Sequence, residues 1–409
     1  RLEQALRRAR RTHHRIAVLY MDIDDFKAVN DRGGHGVGDR LLRDMASGLV
    51  GCARETDTIA RLSGDEFAIV LDGVDTADEA HDVGQRILAQ LSGDMTLDEL
   101  GLTPSMSIGL AVYPDDADDA GSLLQCADSA MYSAKQLGGR RVSAYDPELA
   151  LRRERERDAC ERLAQAVEAH ELGPHYQPLI DLASRQVIGA EALLRWHAAE
   201  GGSPGEFIPR LERLGYIKTV GERVLRTAIA DAAGWQARGG TLETIAVNVS
   251  PVQLDSDDFI DTIDAALSDY GLAATQLTLE ITEGLYLAGD ASVLERLQAL
   301  RRRGIRIALD DFGTGYSSLS YLQNVPVDVL KIDKSFILGL GSRAQYTNLV
   351  DAIASLADAL SMKVTAEGIE SGQIADAVRR LGCRYGQGFY FGAALERDAF
   401  EARLEQRPR

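Results

Sequence analysis

The sequence of 409 residues has few cysteines and no long apolar run. Cys52, Cys126, Cys160 and Cys383 are scattered and form no CxxC pair, which predicts small buried thiols in a reducing compartment rather than a disulfide framework. No apolar stretch is long enough to span a bilayer, and the sequence shows no signal-peptide pattern. Walker and dinucleotide-binding glycine motifs are absent, and the histidines lack paired metal-ligand spacing. These absences favour a cytoplasmic location.

Positive charge is also scarce, with 45 lysines and arginines against 63 acidic residues and a formal net charge of -18. Such a chain repels the phosphate backbone of duplex nucleic acid, so a nucleic-acid polymer is not expected as a partner. The hydrophobic share of 45% and charged share of 26% are typical of a folded globular protein. The length predicts two or three domains.

The chain begins at Arg1 rather than at methionine, inside a predicted helix that continues to Arg11. We expect from this an excised piece of a longer protein, with a sensory domain upstream. A full-length protein of this kind could be tethered to a membrane.

The first part of the sequence alternates strand and helix patterns. Asp146-Pro147 is a turn signal, and the helical pattern after it, with its mixed-sign charge run, predicts a linker. We therefore predict a first domain over residues 1–146, a helical linker over 147–165 and a second domain over 166–409. The elements predicted in the first domain are Ile16–Ile23 (strand), Asp39–Ala53 (helix), Asp57–Leu62 and Phe67–Leu71 (hairpin), Thr76–Leu91 (helix), Ser105–Val112 (strand), Gly121–Leu137 (helix) and Val142–Tyr145 (strand).

From Gly173 onward, apolar strand patterns are separated by helical stretches. Such repeated strand–helix units over this length predict a parallel α/β barrel. The predicted strands are Val187–Leu194, Ile245–Val249, Leu277–Ile281, Ile305–Leu309, Val329–Ile332, Lys363–Ala366 and Gly386–Phe391.

Polar side chains stand where these apolar strands end. The carboxyl ends of barrel strands meet on one face, and that face carries the active site. Converging carboxylates need cations, and oxygen ligands favour Mg²⁺ or Mn²⁺ over Zn²⁺. The adjacent acids Asp310 and Asp311 predict a carboxylate that bridges two ions, the usual arrangement for phosphodiester hydrolysis. The polar residues are Glu191, Asn248, Glu280, Asp310, Asp311, Lys331, Glu367 and Gln387.

These residues stand in motifs that resemble the EAL phosphodiesterases, over roughly residues 163–400: EALLR, VNVS, LEITE, DDFGTGYSS, LKID, AEGIE and GQGF. The resemblance implies a modified TIM barrel that hydrolyses cyclic di-GMP, a bacterial signalling molecule, to linear pGpG. It implies one metal ion held by Glu191, Asn248, Glu280 and Asp310, and a second held by Asp310, Asp311 and Glu367. It further implies the following roles: Lys331 at the attacking water, Gln387 shaping the site, Arg195 on a substrate phosphate, and Glu283 bracing a coupling loop at Phe312–Ser318. The sequence departs from the family after GQGFYF, where GAAL replaces the usual basic and proline residues.

In the first domain, Asp22-Ile23-Asp24 ends a predicted buried strand and Ser63–Phe67 fills a predicted hairpin turn. Asp22 beside Asp65 would give two carboxylates for Mg²⁺ on a triphosphate, and Gly64 would let a nucleotide approach the backbone closely. An acidic hairpin turn without a ligand is the alternative interpretation.

The motifs MDIDDFKAVND, GHGVGD, SGDEF and the AK at Lys135 resemble the GGDEF diguanylate cyclases, over roughly residues 2–146. The resemblance implies a palm-like α/β sandwich. It implies that Asp22, the Ile23 carbonyl and Asp65 bind metal and that Asn30 and Asp39 recognise guanine. It also implies nucleotide contacts at Gly64, Glu66 and Lys135. Finally, it implies an inhibitory site that binds the product through Arg54 and Asp57, with help from Arg61. Ser63 replaces the first glycine of the turn, and Gly139 stands where the family carries an arginine, with Arg140 one place later.

Three functions follow. The first is a cyclic di-GMP phosphodiesterase with a regulatory or weakly active GTP-binding domain, and the second is a fully bifunctional enzyme. The third is a non-catalytic cyclic di-GMP receptor, which the retained metal ligands of the second domain disfavour. The resemblance also implies a homodimer, because cyclisation joins two GTP molecules held by two facing domains.

Overall fold

The computed structural model describes residues 1–94, 104–198, 201–240, 242–282, 291–313, 326–340 and 344–405. The chain folds as two compact units, Arg1–Asp158 and Ala159–Arg409. Within the described residues, no helix combines the length and the apolar character needed to cross a membrane.

The first unit is built on a five-stranded sheet with the order β2-β3-β1-β4-β5. The central strand β1 pairs antiparallel with β3 and β4, whereas β4 and β5 are parallel. The strands are β1 Arg15–Ile23, β2 Thr58–Ser63, β3 Glu66–Val74, β4 Met106–Tyr113 and β5 Val142–Ala144. The helices are α1 Leu2–Thr12, α2 Phe26–Gly33, α3 His35–Cys52, α4 Ala77–Asp94, α5 Ala120–Gln136 and α6 Pro147–Glu168, the last of which begins in the first unit and ends in the second.

Both faces of β1 are covered, so its sequence is a continuous apolar run. Ala17, Leu19 and Met21 point into one hydrophobic core, and Ile16 and Val18 point into the other, as the two-residue period of a strand requires. The acids Asp22 and Asp24 lie at the carboxyl end of β1, after this apolar run. The core therefore fixes where the polar residues of this unit lie.

The second unit is a closed eight-stranded barrel with the order β10-β11-β12-β13-β6-β7-β8-β9. Strand β6 is antiparallel to both of its neighbours, and the other neighbouring strands are parallel. The strands are β6 Leu172–Asp181, β7 Val187–Trp196, β8 Thr244–Asn248, β9 Leu277–Thr282, β10 Arg306–Phe312, β11 Val329–Ile332, β12 Lys363–Ala366 and β13 Tyr385–Gly386. The described helices are α7 Pro204–Arg213, α8 Ile217–Ala237, α9 Pro251–Leu254, α10 Phe259–Tyr270, α11 Ala291–Arg302, α12 Lys334–Leu338, α13 Ala344–Ala359, α14 Gly372–Arg380 and α15 Arg397–Glu405, with a 3-10 turn at Ala274–Gln276.

The structure confirms the mixed α/β architecture of a palm-like unit and a modified TIM barrel, and it corrects three elements. Strand β6 was missed because its sequence LGPHYQPLID contains two prolines, which are rare inside strands. The predicted strand Gly386–Phe391 is wrong beyond Gly386, where the strand ends and the chain turns. The turn brings the backbone close to Ile369, since a Cβ on Gly388 would lie 2.2 Å from the Ile369 amide nitrogen. Helix α2 was also missed.

Candidate active site

The polar residues predicted at the strand ends do converge at the carboxyl end of the barrel. Each lies within its strand or directly after it, and apolar residues of the same strand before it pack in the core. The side chains that meet are Glu191 of β7, Asn248 of β8, Glu280 of β9, Asp310 of β10, Lys331 of β11, Glu367 after β12 and Gln387 after β13.

The ammonium group of Lys331 lies at the centre of this cluster. Its Nζ is 2.7 Å from Glu280 Oε2, 2.8 Å from Glu367 Oε1, 3.1 Å from Asp310 Oδ1 and 3.3 Å from Glu191 Oε2. The lysine side chain is only 3% exposed, so water contributes little to its charge balance. The four carboxylates therefore keep this lysine charged inside the barrel.

Two amide side chains hold Glu191 in place. Asn248 Nδ2 donates to Glu191 Oε1 at 2.8 Å, and Gln387 Nε2 donates to Glu191 Oε2 at 2.6 Å. Because both carboxylate oxygens accept a hydrogen bond, the orientation of the Glu191 carboxylate is fixed before any ligand arrives.

The acids form two groups that share one member. One oxygen from each of Glu191, Glu280 and Asp310 lies within 4.8 Å of the others, and the same holds for Asp310, Asp311 and Glu367. Consecutive strand residues point in opposite directions, but Asp311 has a φ of 54°, in the left-handed region that non-glycine residues rarely adopt. Its amide donates to Asp310 Oδ1 at 3.0 Å. This local backbone strain brings both acids to the same site.

Burial is the largest single influence on the pKa of each of four groups in the cluster, but it does not always decide the direction of the shift. Burial, then the charge of Glu191, raises the pKa of Glu280 well above its ordinary value. Burial also raises the pKa of Glu367, to about 7, against the opposing effect of Lys331. For Glu191, burial is outweighed by Lys331 and by its hydrogen bonds, so its pKa is lowered. Burial disfavours the Lys331 charge, but the surrounding carboxylates outweigh it and raise the pKa of that lysine.

The donor set fits divalent metal ions. The two groups contain five carboxyl groups, four of which surround the ammonium group of Lys331, in a partly buried site. All potential ligands are oxygens, and no cysteine or histidine belongs to either group. Hard cations such as Mg²⁺ and Mn²⁺ are bound by oxygen sets of this kind.

Strand β6 supplies a residue that the sequence analysis missed. Gln177 is the direct cross-strand partner of Glu191, and its Oε1 accepts from Gln387 Nε2 at 2.8 Å. Its own Nε2 donates to the Gly392 carbonyl at 3.2 Å. Gln177 thereby orients the amide that holds Glu191. Only recognition of β6 as a strand, with its pairing register, could have predicted this contact.

Arg195 lies on the same face of β7 as Glu191, four residues further toward the rim. Its Nη1 donates to the Leu194 carbonyl at 2.9 Å, and burial lowers the pKa of its guanidinium. Glu283 and residues 314–318 of the predicted coupling loop lie outside the described residues.

The first unit brings part of its predicted site together. Lys135 Nζ lies 2.6 Å from Asp22 Oδ1, and burial raises the pKa of Asp22. Asp22 pairs in register with Glu66, and the Ile23 amide donates to the Asp65 carbonyl at 3.4 Å. The acids of the strand end and of the hairpin turn are therefore neighbours.

The substituted turn residue Ser63 makes a bond of its own. Its Oγ donates to Glu66 Oε2 at 2.6 Å, so the extra side chain is tied back to the hairpin. Gly64 has a φ of 47°, and nothing lies within 4 Å of the place its Cβ would occupy. The backbone at this turn is therefore open to a ligand.

Asp24 follows directly after β1 and accepts several hydrogen bonds at the same end of the sheet. It accepts from Ser105 Oγ and Ser107 Oγ, each at 2.6 Å, and from the Arg140 amide at 3.2 Å. A Cβ on Gly139 would lie 3.1 Å from the Asp24 carboxylate, at a φ of 69°. A side chain at position 139 is therefore disfavoured in this backbone. An open pocket of about 740 Å³ beside Asp24 is lined by Lys135, Arg140 and Arg32, among others.

Asn30 and Asp39, the predicted guanine-recognition residues, come from neighbouring helices. Asn30 lies in α2 and Asp39 lies near the start of α3, where its side chain is exposed. Gly38 leaves space for Asn30, because a Cβ there would lie 2.1 Å from Asn30 Oδ1.

The predicted inhibitory residues Arg54 and Asp57 are adjacent in space. The Arg54 amide donates to Asp57 Oδ2 at 2.8 Å, and its guanidinium lies 3.2 Å from Glu79 Oε1. The Arg61 guanidinium instead donates to the Gly64 carbonyl, at 2.6 and 2.9 Å.

Comparison with known proteins agrees with both resemblances. The EAL domain family matches residues 160–394, and the family described as diguanylate cyclase, GGDEF domain, matches residues 1–141. Among curated relatives, the bifunctional diguanylate cyclase/cyclic di-GMP phosphodiesterase MucR of Pseudomonas aeruginosa is 38% identical over 97% of this chain and 58% of its own length. The cyclic di-GMP phosphodiesterase NbdA of the same organism is 35% identical over 94% of this chain and 49% of its own length.

The chain thus spans about half the length of these two relatives. Among solved structures, the MucR phosphodiesterase in complex with c-di-GMP is 37% identical and covers 59% of this chain and 99% of its own, with a TM-score of 0.57. The chain therefore belongs to the EAL domain family, and its EAL domain follows a GGDEF domain in tandem.

Proposed function

We propose that the EAL unit hydrolyses cyclic di-GMP to linear pGpG with two divalent metal ions. The observation that carries this proposal is the pair of acidic groups that share Asp310 at the carboxyl end of the barrel. Glu191, Asn248, Glu280 and Asp310 would hold one ion, and Asp310, Asp311 and Glu367 would hold the other. When bound, such ions supply an activated water and stabilise the leaving oxygen.

The protein residues then divide the remaining work. Lys331, fixed among four carboxylates, would position and polarise the attacking water. Gln387, oriented by Gln177, keeps Glu191 directed into the site. Arg195 would bind a phosphate of the substrate from the same face of β7. Because these contacts exist without a ligand, the site is organised in advance of binding.

We further propose that the GGDEF unit binds GTP with Mg²⁺ through Asp22, the Ile23 carbonyl and Asp65, and regulates the EAL unit or is weakly active. The contact of Lys135 with Asp22, beside an open pocket, supports a phosphate site. A fully bifunctional enzyme is the second candidate, favoured by the name of the relative MucR. A dimer of two such units is required for the cyclase reaction.

The test is chromatography of the products after the purified protein is incubated with Mg²⁺ or Mn²⁺, separately with cyclic di-GMP and with GTP. Formation of pGpG from cyclic di-GMP supports the phosphodiesterase, and cyclic di-GMP or pGpG from GTP alone supports the bifunctional enzyme. Binding without any product would instead indicate a receptor.

A Glu191→Ala variant should lose hydrolysis while its circular dichroism spectrum stays that of the wild type. The matched control is Glu222→Ala, which removes an exposed carboxylate paired with Arg226 on a helix. Retained hydrolysis in Glu191→Ala would contradict the metal site.

A further inference from the structure

Two histidines lie on the wall of the barrel that leads into the proposed active site. His175 of β6 is two residues from Gln177, and in a strand residues two apart share a face. It pairs across strands with Leu193, which lies between Glu191 and Arg195 on the same face of β7. His197 follows β7 directly, two residues after Arg195, and its amide donates to the Glu171 carbonyl, which continues the pairing.

The two imidazoles are in contact. His175 Nε2 lies 3.3 Å from His197 Nδ1, with ring centroids 5.2 Å apart. Gly173 makes this contact possible, because a Cβ there would lie 2.7 Å from His197 Nε2. The His197 ring therefore lies over the backbone of β6, at the position that pairs with Arg195.

The surroundings of this histidine pair are charged on two sides. The charge of Arg195 acts on His175 from the β7 side. The charge of Glu396 acts on it from the opposite side, where Leu395 forms a β-bridge with Tyr176. Burial, followed by His197 and Arg195, lowers the pKa of His175, and Glu396 opposes them. Without a ligand, these influences favour the neutral form of His175.

We propose that His175 and His197 form, together with Arg195, a recognition subsite for a phosphodiester group of the cyclic dinucleotide. This proposal rests on the phosphodiesterase function proposed above. Both imidazoles can donate N–H groups to phosphate oxygens, and hydrogen bonds from a charged imidazole are about twice as strong as neutral ones. The neighbouring rim segment GAAL, Gly392–Leu395, offers no basic side chain.

A bound phosphodiester changes the balance of charge at the pair. Its negative charge favours the protonated form of an imidazole, so binding should take up a proton where His175 is neutral in the free protein. The affinity for substrate should therefore rise as the pH falls from alkaline to mildly acidic values. His197 contacts His175, so removing either ring should change this dependence.

The experiment compares KM and kcat for cyclic di-GMP between pH of about 6 and about 8.5. The proteins are the wild type, His175→Gln, His197→Asn and the matched control His81→Gln, a half-buried histidine of α4 in the first unit. Near pH 6 we expect KM of the two subsite variants to be about five- to tenfold higher than that of the wild type, with kcat unchanged. The difference should disappear near pH 8.5, and the control should match the wild type throughout.

Two results would overturn the subsite: equal KM values at pH 6, or a rise in KM of the same size at every pH, which would indicate a structural effect. If the wild type does not turn over cyclic di-GMP, the phosphodiesterase proposal fails, and calorimetric titration with cyclic di-GMP at the same pH values decides the subsite. Tighter binding at acidic pH that is lost in the variants supports it, and absent or pH-independent binding refutes it.

Discussion

Replacing Lys331 with methionine tests whether the central ammonium balances the charge of the acidic cluster. The substitution keeps the length of an unbranched side chain and removes the cation that lies within 3.3 Å of four carboxylates. Removing one partner of a buried ion pair costs about 3–5 kcal/mol, because the opposing charge stays buried without compensation. The side chain is 3% exposed, so solvent screening gives little relief.

The expected change in thermal stability follows from the size of the unit. For a domain of about 250 residues, 1 kcal/mol shifts Tm by about 2–4 °C. In EDTA, Lys331→Met should therefore lower the Tm of the EAL unit by about 6–20 °C relative to the wild type. Adding Mn²⁺ or Mg²⁺ should raise the Tm of the variant more than it raises the Tm of the wild type, because a bound cation replaces the lost charge.

Differential scanning calorimetry with and without metal measures both effects. Lys363→Met is the matched control, since Lys363 lies at the start of β12, is exposed and contacts Tyr385 OH at 3.1 Å. If Lys331→Met and Lys363→Met have the same Tm in EDTA, the lysine does not balance the cluster and the reasoning is refuted.

Three further predictions concern other parts of the chain. Gly109→Ala should destabilise the first unit by about 2–3 kcal/mol in urea unfolding, because its Cβ would lie 1.9 Å from the Ala127 carbonyl, whereas Gly51→Ala should not destabilise it. Burial raises the pKa of Cys383 to about 12, so its side chain stays a thiol at pH 8. A disulfide reagent should therefore modify Cys383 only at the rate at which the second unit unfolds. Arg54→Ala should lower the stoichiometry of cyclic di-GMP binding in calorimetry, and an unchanged stoichiometry would count against the inhibitory site.

The sequence predicted most of the barrel because its strands are short apolar runs with a polar residue at the end. Strand β11 and strand β12 have the bounds predicted for them, Val329–Ile332 and Lys363–Ala366. Burial on both faces leaves only hydrophobic residues in such a strand, so its extent can be read directly. Strand β6 has no such pattern, because prolines and polar residues interrupt it.

The same pattern predicted which residues would meet, since parallel strands place their carboxyl ends on one face of a barrel. It did not show how they meet. The position of Lys331 among four carboxylates, the left-handed backbone of Asp311 and the role of Gln177 all depend on strand register and on neighbours distant in sequence.

The sequence alone indicated the two domain families, through motifs that resemble them, and the acids that meet at the end of the barrel, because motifs and strand-end position are local properties of the chain. Only the tertiary structure decided that His175 and His197 touch beside Arg195, and that Arg61 turns away from Arg54. Contacts of this kind arise from the pairing of separate strands and from the space that a glycine such as Gly173 leaves open. No periodicity along the chain encodes them.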